Sequence, residues 1–188
     1  MVSPNIVVLS APSGAGKTSL AELLLLYFPL LERSISSTTR SPRKGEKDGR
    51  DYYFLEEKEF IQRKEKGEFI EYAFVYGCWY GTFRKTIEEI TRMRKIALLV
   101  IDTQGGLQVK QVYSSAFLIG VLPPSVAEQK SRLLKRGDSL ESIESRIAAA
   151  SKERRILRTH YDIRVVNKNL DQTALRLVSL IKKRFFLS

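Results

Sequence analysis

Four stretches of this chain are apolar at nearly every position: residues 5–10, 97–101 (Ala97-Leu98-Leu99-Val100-Ile101), 116–121 (Ala116-Phe117-Leu118-Ile119-Gly120-Val121) and 163–166. Runs that are apolar on both faces predict strands covered by helices on either side, as in a parallel sheet. Each is followed by a turn signal and a helix-like segment. The helical segments are 17–27, 84–94, 104–113, 125–134, 141–158 and 171–184. In the last, Ala174, Leu177, Val178 and Ile181 recur at i, i+3, i+4, i+7, with Asp171 near the start. Strands alternating with helices predict a parallel α/β core. Residues 34–83 break the rhythm. There, Ser34–Arg40, Tyr52–Leu55 and Phe69–Val75 read as short mixed or antiparallel strands around one helix near 57–66. A second, charged and helical insertion lies around 134–158, so the pattern predicts two flaps on one core.

The chain of 188 residues is long enough for one domain with a sizeable core, and its hydrophobic fraction of 43% excludes disorder. A single cysteine, Cys78, excludes an intramolecular disulfide and a thiolate zinc site, leaving packing as its role. The start, Met1-Val2-Ser3-Pro4, carries neither a basic n-region nor a long apolar span, so the expected setting is the cytoplasm, without membrane attachment. The net charge of +11 fits either a nucleic-acid surface or a cleft for polyanionic small molecules. The arginines gather around 40–50 and 132–158, near Gly, Ser and Tyr, and do not form a basic tail. No aromatic-rich sheet motif accompanies them, which argues against nucleic acid.

The chemistry concentrates after the first apolar run. Ala11-Pro12-Ser13-Gly14-Ala15-Gly16-Lys17-Thr18 lies between a predicted strand and a predicted helix, the setting of a phosphate-binding loop. Backbone N–H groups and a helix N-terminus there attract phosphate oxygens. Lys17 is placed to reach the β- and γ-phosphates, and the Thr18 hydroxyl to bind Mg²⁺. The pattern G-x-x-x-x-G-K-[ST] is met except at Ala11, which adds one methyl group.

Further motifs are longer. Ser36-Ser37-Thr38-Thr39-Arg40-Ser41-Pro42-Arg43-Lys44-Gly45-Glu46 precedes Gly49-Arg50-Asp51-Tyr52; then come Phe69-Ile70-Glu71-Tyr72-Ala73, Tyr80-Gly81-Thr82 and Ile101-Asp102-Thr103-Gln104-Gly105. Last, Pro123-Pro124-Ser125 leads to Arg132 and Arg136-Gly137. From about residue 6 to about 183 the chain resembles the guanylate kinases. That resemblance implies a P-loop NTPase-type α/β fold, with a parallel sheet and helices on both faces. It implies a CORE (1–33, 84–124 and 159–188), an α+β GMP-binding insertion (34–83) and a helical LID (125–158). The implied reaction is ATP + GMP giving ADP + GDP with Mg²⁺, dGMP being a further acceptor, in a monomer or homodimer. It also implies that Arg43, Arg136 and Arg146 meet the transferring phosphoryl group beside Lys17, that Arg132 lies against adenine, and that Asn167 contacts the nucleotide edge.

The residues support this separately. Phosphoryl transfer needs positioning and charge cancellation more than covalent chemistry. Arg40 and Arg43, with the phenols of Tyr52 and Tyr80, suit an acceptor monophosphate. Guanine offers two adjacent donors, N1–H and the 2-amino group; a carboxylate accepts both, and adenine has no such pair. Glu71, inside an apolar strand, is the candidate, with Ser36 and Thr82 donating to O6 and N7 and Asp102 joining them. A carboxylate in that setting needs a partner, for which a lysine is the plain alternative.

Two departures from the resemblance stand out. Leu99-Val100-Ile101-Asp102 stands where guanylate kinases commonly read Leu-Asp-Ile-Asp, so a carboxylate on the face of Asp102 is replaced by an apolar group. Asn167-Lys168-Asn169-Leu170 replaces Asn-Asp-Asp-Leu. His160 has no second histidine and reads as structural, and Lys182-Lys183-Arg184-Phe185-Phe186 reads as a helix end packing on the core. The competing function is a catalytically weak guanylate-kinase-like binding module. Such modules erode the phosphate loop, whereas Lys17, Thr18, Arg43, Arg136 and Arg146 are all present here.

Overall fold

The structure, a computed structural model, describes residues 4–75 and 77–185. The readings made on Met1, Val2, Ser3 and Phe186 fall outside the described residues. Along the chain the elements are β1 (Ile6–Ser10), α1 (Lys17–Tyr27), β2 (Leu31–Arg33), β3 (Ser37–Thr38), β4 (Tyr53–Phe54), α2 (Glu57–Glu65), β5 (Phe69–Val75) and β6 (Cys78–Phe83). After these come α3 (Arg84–Arg92), β7 (Ile96–Val100), α4 (Thr103–Val112), β8 (Phe117–Leu122), α5 (Val126–Lys135), α6 (Leu140–His160), β9 (Ile163–Val166) and α7 (Leu170–Phe185).

A five-stranded parallel sheet in the order β2-β7-β1-β8-β9 forms the core. Alternate residues of a strand face opposite sides, and here the alternation sorts the core into two layers. On one side Val7 and Leu9 of β1, Leu98 of β7 and Ile119 of β8 pack on Leu20 and Leu24 of α1 and on Leu177 and Ile181 of α7. On the other, Ile6 and Val8, Ala97, Leu99 and Leu118 meet Ile87 and Ile90 of α3, Val109 of α4 and Leu157 of α6. Each fully buried Leu or Ile contributes about 1.5–3 kcal/mol, which is why these runs are apolar on both faces.

Two edges depart from the sequence pattern. β9 is not buried on both faces: Arg164 and Val166 are exposed, as an edge strand permits. β2 was not foreseen, because its Leu-Glu-Arg has one buried apolar position and takes its register from β7. The end of α7 continues helically through Phe185, whose ring sits edge-on to Phe117 at 6.5 Å. His160 is the exposed last residue of α6, and Cys78 is half-buried in β6.

A second sheet, in the order β4-β3-β6-β5, grows from the region that broke the rhythm. Only Ser37–Thr38 and Tyr53–Phe54 of the two earlier predicted segments enter its ladder, and β6 is an additional strand. Phe60 of α2 stacks on Phe69 at 4.5 Å and on Trp79 at 5.8 Å, giving this sheet its own aromatic core. The β5–β6 register shifts between Phe69 and Glu71, so the two do not share a face as strict alternation requires. Phe69 stays on the α2 side, while Glu71, Ala73 and Val75 turn toward the first sheet.

Candidate active site

All five strands of the main sheet run the same way, so the segments that follow them emerge at one edge, the usual place for ligands in such folds. The loop Ala11–Gly16 follows β1, Asp102 follows β7, Ser125 follows β8 and Asn167 follows β9. A cleft of about 380 Å³ opens there, between this edge, the second sheet and α6. Ala11, Ser13, Lys17 and Thr18 line one side; Ser36, Arg40, Arg43, Tyr52, Glu71 and Tyr80 line the opposite one. Asp102 and Val100 lie at the end of β7, and Arg136, just past the C-terminus of α5, and Arg146 of α6 also line the cleft. Pro12, Gly14, Ala15, Gly16, Arg132 and Asn167 do not line this cleft. They form a neighbouring cluster, in which Arg132 Nη2 donates to the Asn167 carbonyl at 3.1 Å.

The Lys17 ammonium donates to the Ile101 carbonyl at 2.9 Å. Burial pushes its pKa below the ordinary lysine value, and the carboxylates of Asp102, Glu153 and Glu71 oppose that shift. Asp102 caps α4 by accepting from the Gly105 N–H at 2.6 Å. A buried chain supports this floor: Tyr161 OH donates to Ser10 Oγ at 2.8 Å, and Ser10 Oγ donates to the Asp102 carbonyl at 3.0 Å. Burial also pushes the Tyr161 phenol up, so it stays a neutral donor.

Glu71 is 3% exposed, and its partner is a hydroxyl, not the lysine that was the alternative. Register places Thr82 directly opposite on β6, and Thr82 Oγ1 donates to Glu71 Oε1 at 2.6 Å. Thr82 Oγ1 is also 3.0 Å from Ser36 Oγ. Thr82 is fully buried, behind Glu71 as seen from the cleft. Glu71 Oε2 lies against Gly105, where any Cβ would collide with it. The Gln108 amide locks this approach by accepting from the Tyr72 N–H at 3.0 Å and donating to the Tyr72 carbonyl at 2.7 Å.

Burial pushes the Glu71 carboxyl up to about 7; the Thr82 bond opposes this and the Asp102 charge adds to it. Were Glu71 the guanine acceptor, only its ionised form would accept both guanine donors, and GMP affinity would be expected to rise with pH through about 7. At pH 6 about one-tenth of Glu71 is ionised, making GMP binding roughly tenfold weaker than at pH 8. Calorimetric titration at both pH values checks this against Glu71→Gln, which retains the phosphate's own titration near pH 6 and lacks the added step. An identical pH response in the two proteins would remove Glu71 from guanine binding.

Arg40, Arg136 and Arg146 are held by local partners. Arg40 pairs with Glu46 through two bonds of 2.9 and 3.0 Å and lies 5.5 Å from the Tyr52 ring centroid. Arg136 pairs with Asp138 at 2.5 Å. Arg146 donates to Ser142 Oγ at 3.0 Å and to Ser13 Oγ at 3.1 Å, tying α6 to the loop after β1. Arg33, Glu22 and Glu153 line the cleft without having been anticipated. For Glu153 a signal existed: it lies seven residues after Arg146, hence on the same face of α6. Burial pushes its carboxyl up, and the Lys17 charge counters that.

A glycine-rich loop thus faces, across one cleft, a buried carboxylate flanked by hydroxyls. The family model described as guanylate kinase matches residues 3–184. The chain belongs to the guanylate kinase family. It is 49% identical over 152 residues to a guanylate kinase of Bordetella pertussis, covering 80% of this chain and 71% of that one. A guanylate kinase of Synechocystis is 44% identical over 181 residues, covering 96% and 94%. That of Protochlamydia amoebophila is 41% identical over 169 residues, covering 89% and 85%. The crystal structure of guanylate kinase from Anaplasma phagocytophilum superposes with a TM-score of 0.80 at 33% identity, over 99% of this chain and 88% of that one. These likenesses agree with the parallel α/β architecture and the whole-chain extent of the resemblance.

Proposed function

We propose that this guanylate kinase family member transfers the γ-phosphoryl group of ATP to GMP or dGMP, releasing ADP and GDP or dGDP, as part of purine nucleotide recycling. The observation that carries the proposal is the Ser36–Thr82–Glu71 chain, which aims a buried carboxylate into the cleft that Lys17 enters from the other side. Nucleotide acceptor and donor then meet between the two sheets. Arg40 and Arg43 with Tyr52 and Tyr80 hold the acceptor phosphate; Ala11–Thr18, Arg132 and Asn167 hold ATP. Lys17, Arg43, Arg136 and Arg146 cancel charge on the group in flight, and closure of α5 and α6 expels water around it.

The oxygen donors on this cleft suit a hard cation. The Thr18 hydroxyl is one, with the Asp102 and Glu153 carboxylates on the same cleft. Among the described residues no three acidic or histidine side chains cluster as a metal cage. That donor set fits Mg²⁺ carried by ATP and held mainly through phosphates and water. When bound, Mg²⁺ supplies charge neutralisation to the phosphates.

The arginines that line the cleft account for part of the +11 charge, which favours small polyanions over nucleic acid as partners. Among the described residues no helix is long and apolar enough to cross a membrane. A cytoplasmic monomer or homodimer is the setting we propose. An ADP-release assay with GMP, dGMP, AMP, CMP and UMP as acceptors tests the reaction; turnover of AMP at the GMP rate would overturn it.

Closure gives a second test. The CORE, insertion and LID assignments given above imply that an ATP–GMP bisubstrate analogue makes the particle more compact in solution scattering. Superimposable profiles with and without saturating analogue would count against hinged closure.

A further inference from the structure

Gln129 of α5 is fully buried, and both ends of its side-chain amide are engaged. Its Nε2 donates to the Ser13 carbonyl at 2.7 Å, and its Oε1 accepts from Arg154 Nη1 at 3.1 Å. One amide therefore connects α6, α5 and the loop after β1. A plain packing position there suits Leu or Met; a glutamine must satisfy its hydrogen-bonding atoms, and here the structure supplies partners at both ends. The guanidinium on Oε1 polarises the amide and strengthens the donation at Nε2.

The bond to Ser13 has a directional consequence. A trans peptide is planar, with its C=O and its N–H pointing opposite ways. Drawing the Ser13 carbonyl toward α5 turns the Gly14 N–H to the other side of the loop. Two peptides on, Asn167 Nδ2 holds the Ala15 carbonyl at 2.9 Å, which orients the Gly16 N–H in the same manner. The N–H between them, of Ala15, is used within the loop on the Pro12 carbonyl at 3.1 Å. Gly14 and Gly16 sit at φ +82° and +87°, the left-handed conformation that anion-binding nests need. The fit at Gly14 is close: a Cβ there would lie 3.1 Å from the Gln129 backbone oxygen and 3.3 Å from its Cγ.

We propose that Gln129 and Arg154 are positioning residues for ATP. The Arg154–Gln129–Ser13 relay aims the Gly14 amide at the nucleotide phosphates and makes that aim depend on where α6 sits. The proposal rests on reading residues 11–18 as the ATP phosphate site. The Ser13 side chain is held from the same helix by Arg146, so displacement of α6 reaches Ser13 by two hydrogen-bonded routes. The relay thus gives α6 a second task beside delivering Arg146: setting the loop's N–H groups for phosphate.

The test is calorimetric ATP binding, with GMP binding to the same preparation as the internal control. Gln129→Leu keeps the volume and removes the donor; it is expected to weaken ATP about tenfold, with GMP affinity within about twofold of the parent. Arg154→Met leaves the donor but removes its orienting partner, for an expected loss of about threefold in ATP affinity. The double variant is expected to bind ATP no more weakly than Gln129→Leu, because the relay is already cut. Gln129→Leu with ATP affinity within about twofold of the parent overturns the relay, as does an equal loss for ATP and GMP, the sign of a general packing defect. Should Gln129→Leu fail to fold, Arg154→Met decides, an unchanged ATP affinity overturning the relay. Lys17→Ala separates the two levels: if it binds ATP as tightly as the parent, residues 11–18 are not the phosphate site and that underlying reading falls.

Discussion

Lys17→Ala is expected to fold and to lose turnover by a factor on the order of 10² or more. The side chain sits at the first position of α1 and reaches across to the Ile101 carbonyl, so its charge stands at the floor of the cleft and not on a solvated face. Burial, with a smaller push from the Arg33 charge, lowers its pKa; Asp102, Glu153 and Glu71 oppose this, and a phosphoryl group would add further negative charge. Alanine is the best helix former at that site, and the variant removes a desolvated cation, so the fold is expected to survive. Thermal unfolding and ADP release measured on the same sample check both halves. Turnover within a few-fold of the parent would mean that the loop after β1 is not where phosphoryl transfer occurs.

Glu71→Gln is expected to remove roughly 2–4 kcal/mol of preference for GMP over AMP, because an amide NH₂ then faces a guanine donor and a buried charged hydrogen bond is lost. The effect falls on kcat/KM for GMP, with the ATP KM nearly unchanged. Thr82→Val loses less in the same direction, since it acts by releasing Glu71. Stability moves the other way. With the folded carboxyl raised from 4.5 to about 7, the folded state holds the proton more tightly than the unfolded chain. Stability from this group is then full below about 4.5 and falls as pH rises to about 7, a cost on the order of 3 kcal/mol at pH 8. The neutral glutamine escapes that cost and still accepts from Thr82. Glu71→Gln is therefore expected to melt higher than the parent at pH 8 while losing guanine selectivity. If instead it unfolds, or if GMP selectivity survives, Glu71 is a structural carboxylate and guanine is read elsewhere.

Much of the architecture is legible in the amino-acid sequence, for a physical reason. A strand covered by helices on both faces must be apolar throughout, so residues 5–10, 97–101 and 116–121 could hardly be anything else. The turn between β1 and α1 was legible because its backbone runs through the left-handed region at Gly14 and Gly16, which glycine adopts without a steric cost. Elements whose existence depends on a neighbour were not. β2 is only Leu31–Arg33, and β6, carrying Trp79, Gly81 and Thr82, takes its place by pairing with β5 and β3. β9 was misread as buried because four residues cannot show which edge of a sheet they will occupy.

At the candidate site the division is similar. Local chemistry marked the residue types: arginines, phenols, one carboxylate among apolar neighbours. The sequence by itself determined which groups are available and on which strand or helix each rides, because period and capping are properties of adjacent residues. What only the tertiary structure decided is who meets whom. A register shift near Ile70 set Glu71 opposite Thr82; the bare Cα of Gly105 let α4 approach the carboxylate; the packing of α5 on α6 joined Arg154 to Gln129 and Gln129 to Ser13. Those pairings span from 11 to 116 residues of chain. Contacts at such separations depend on how whole elements pack, and a local pattern of hydrophobic and polar residues carries no record of that.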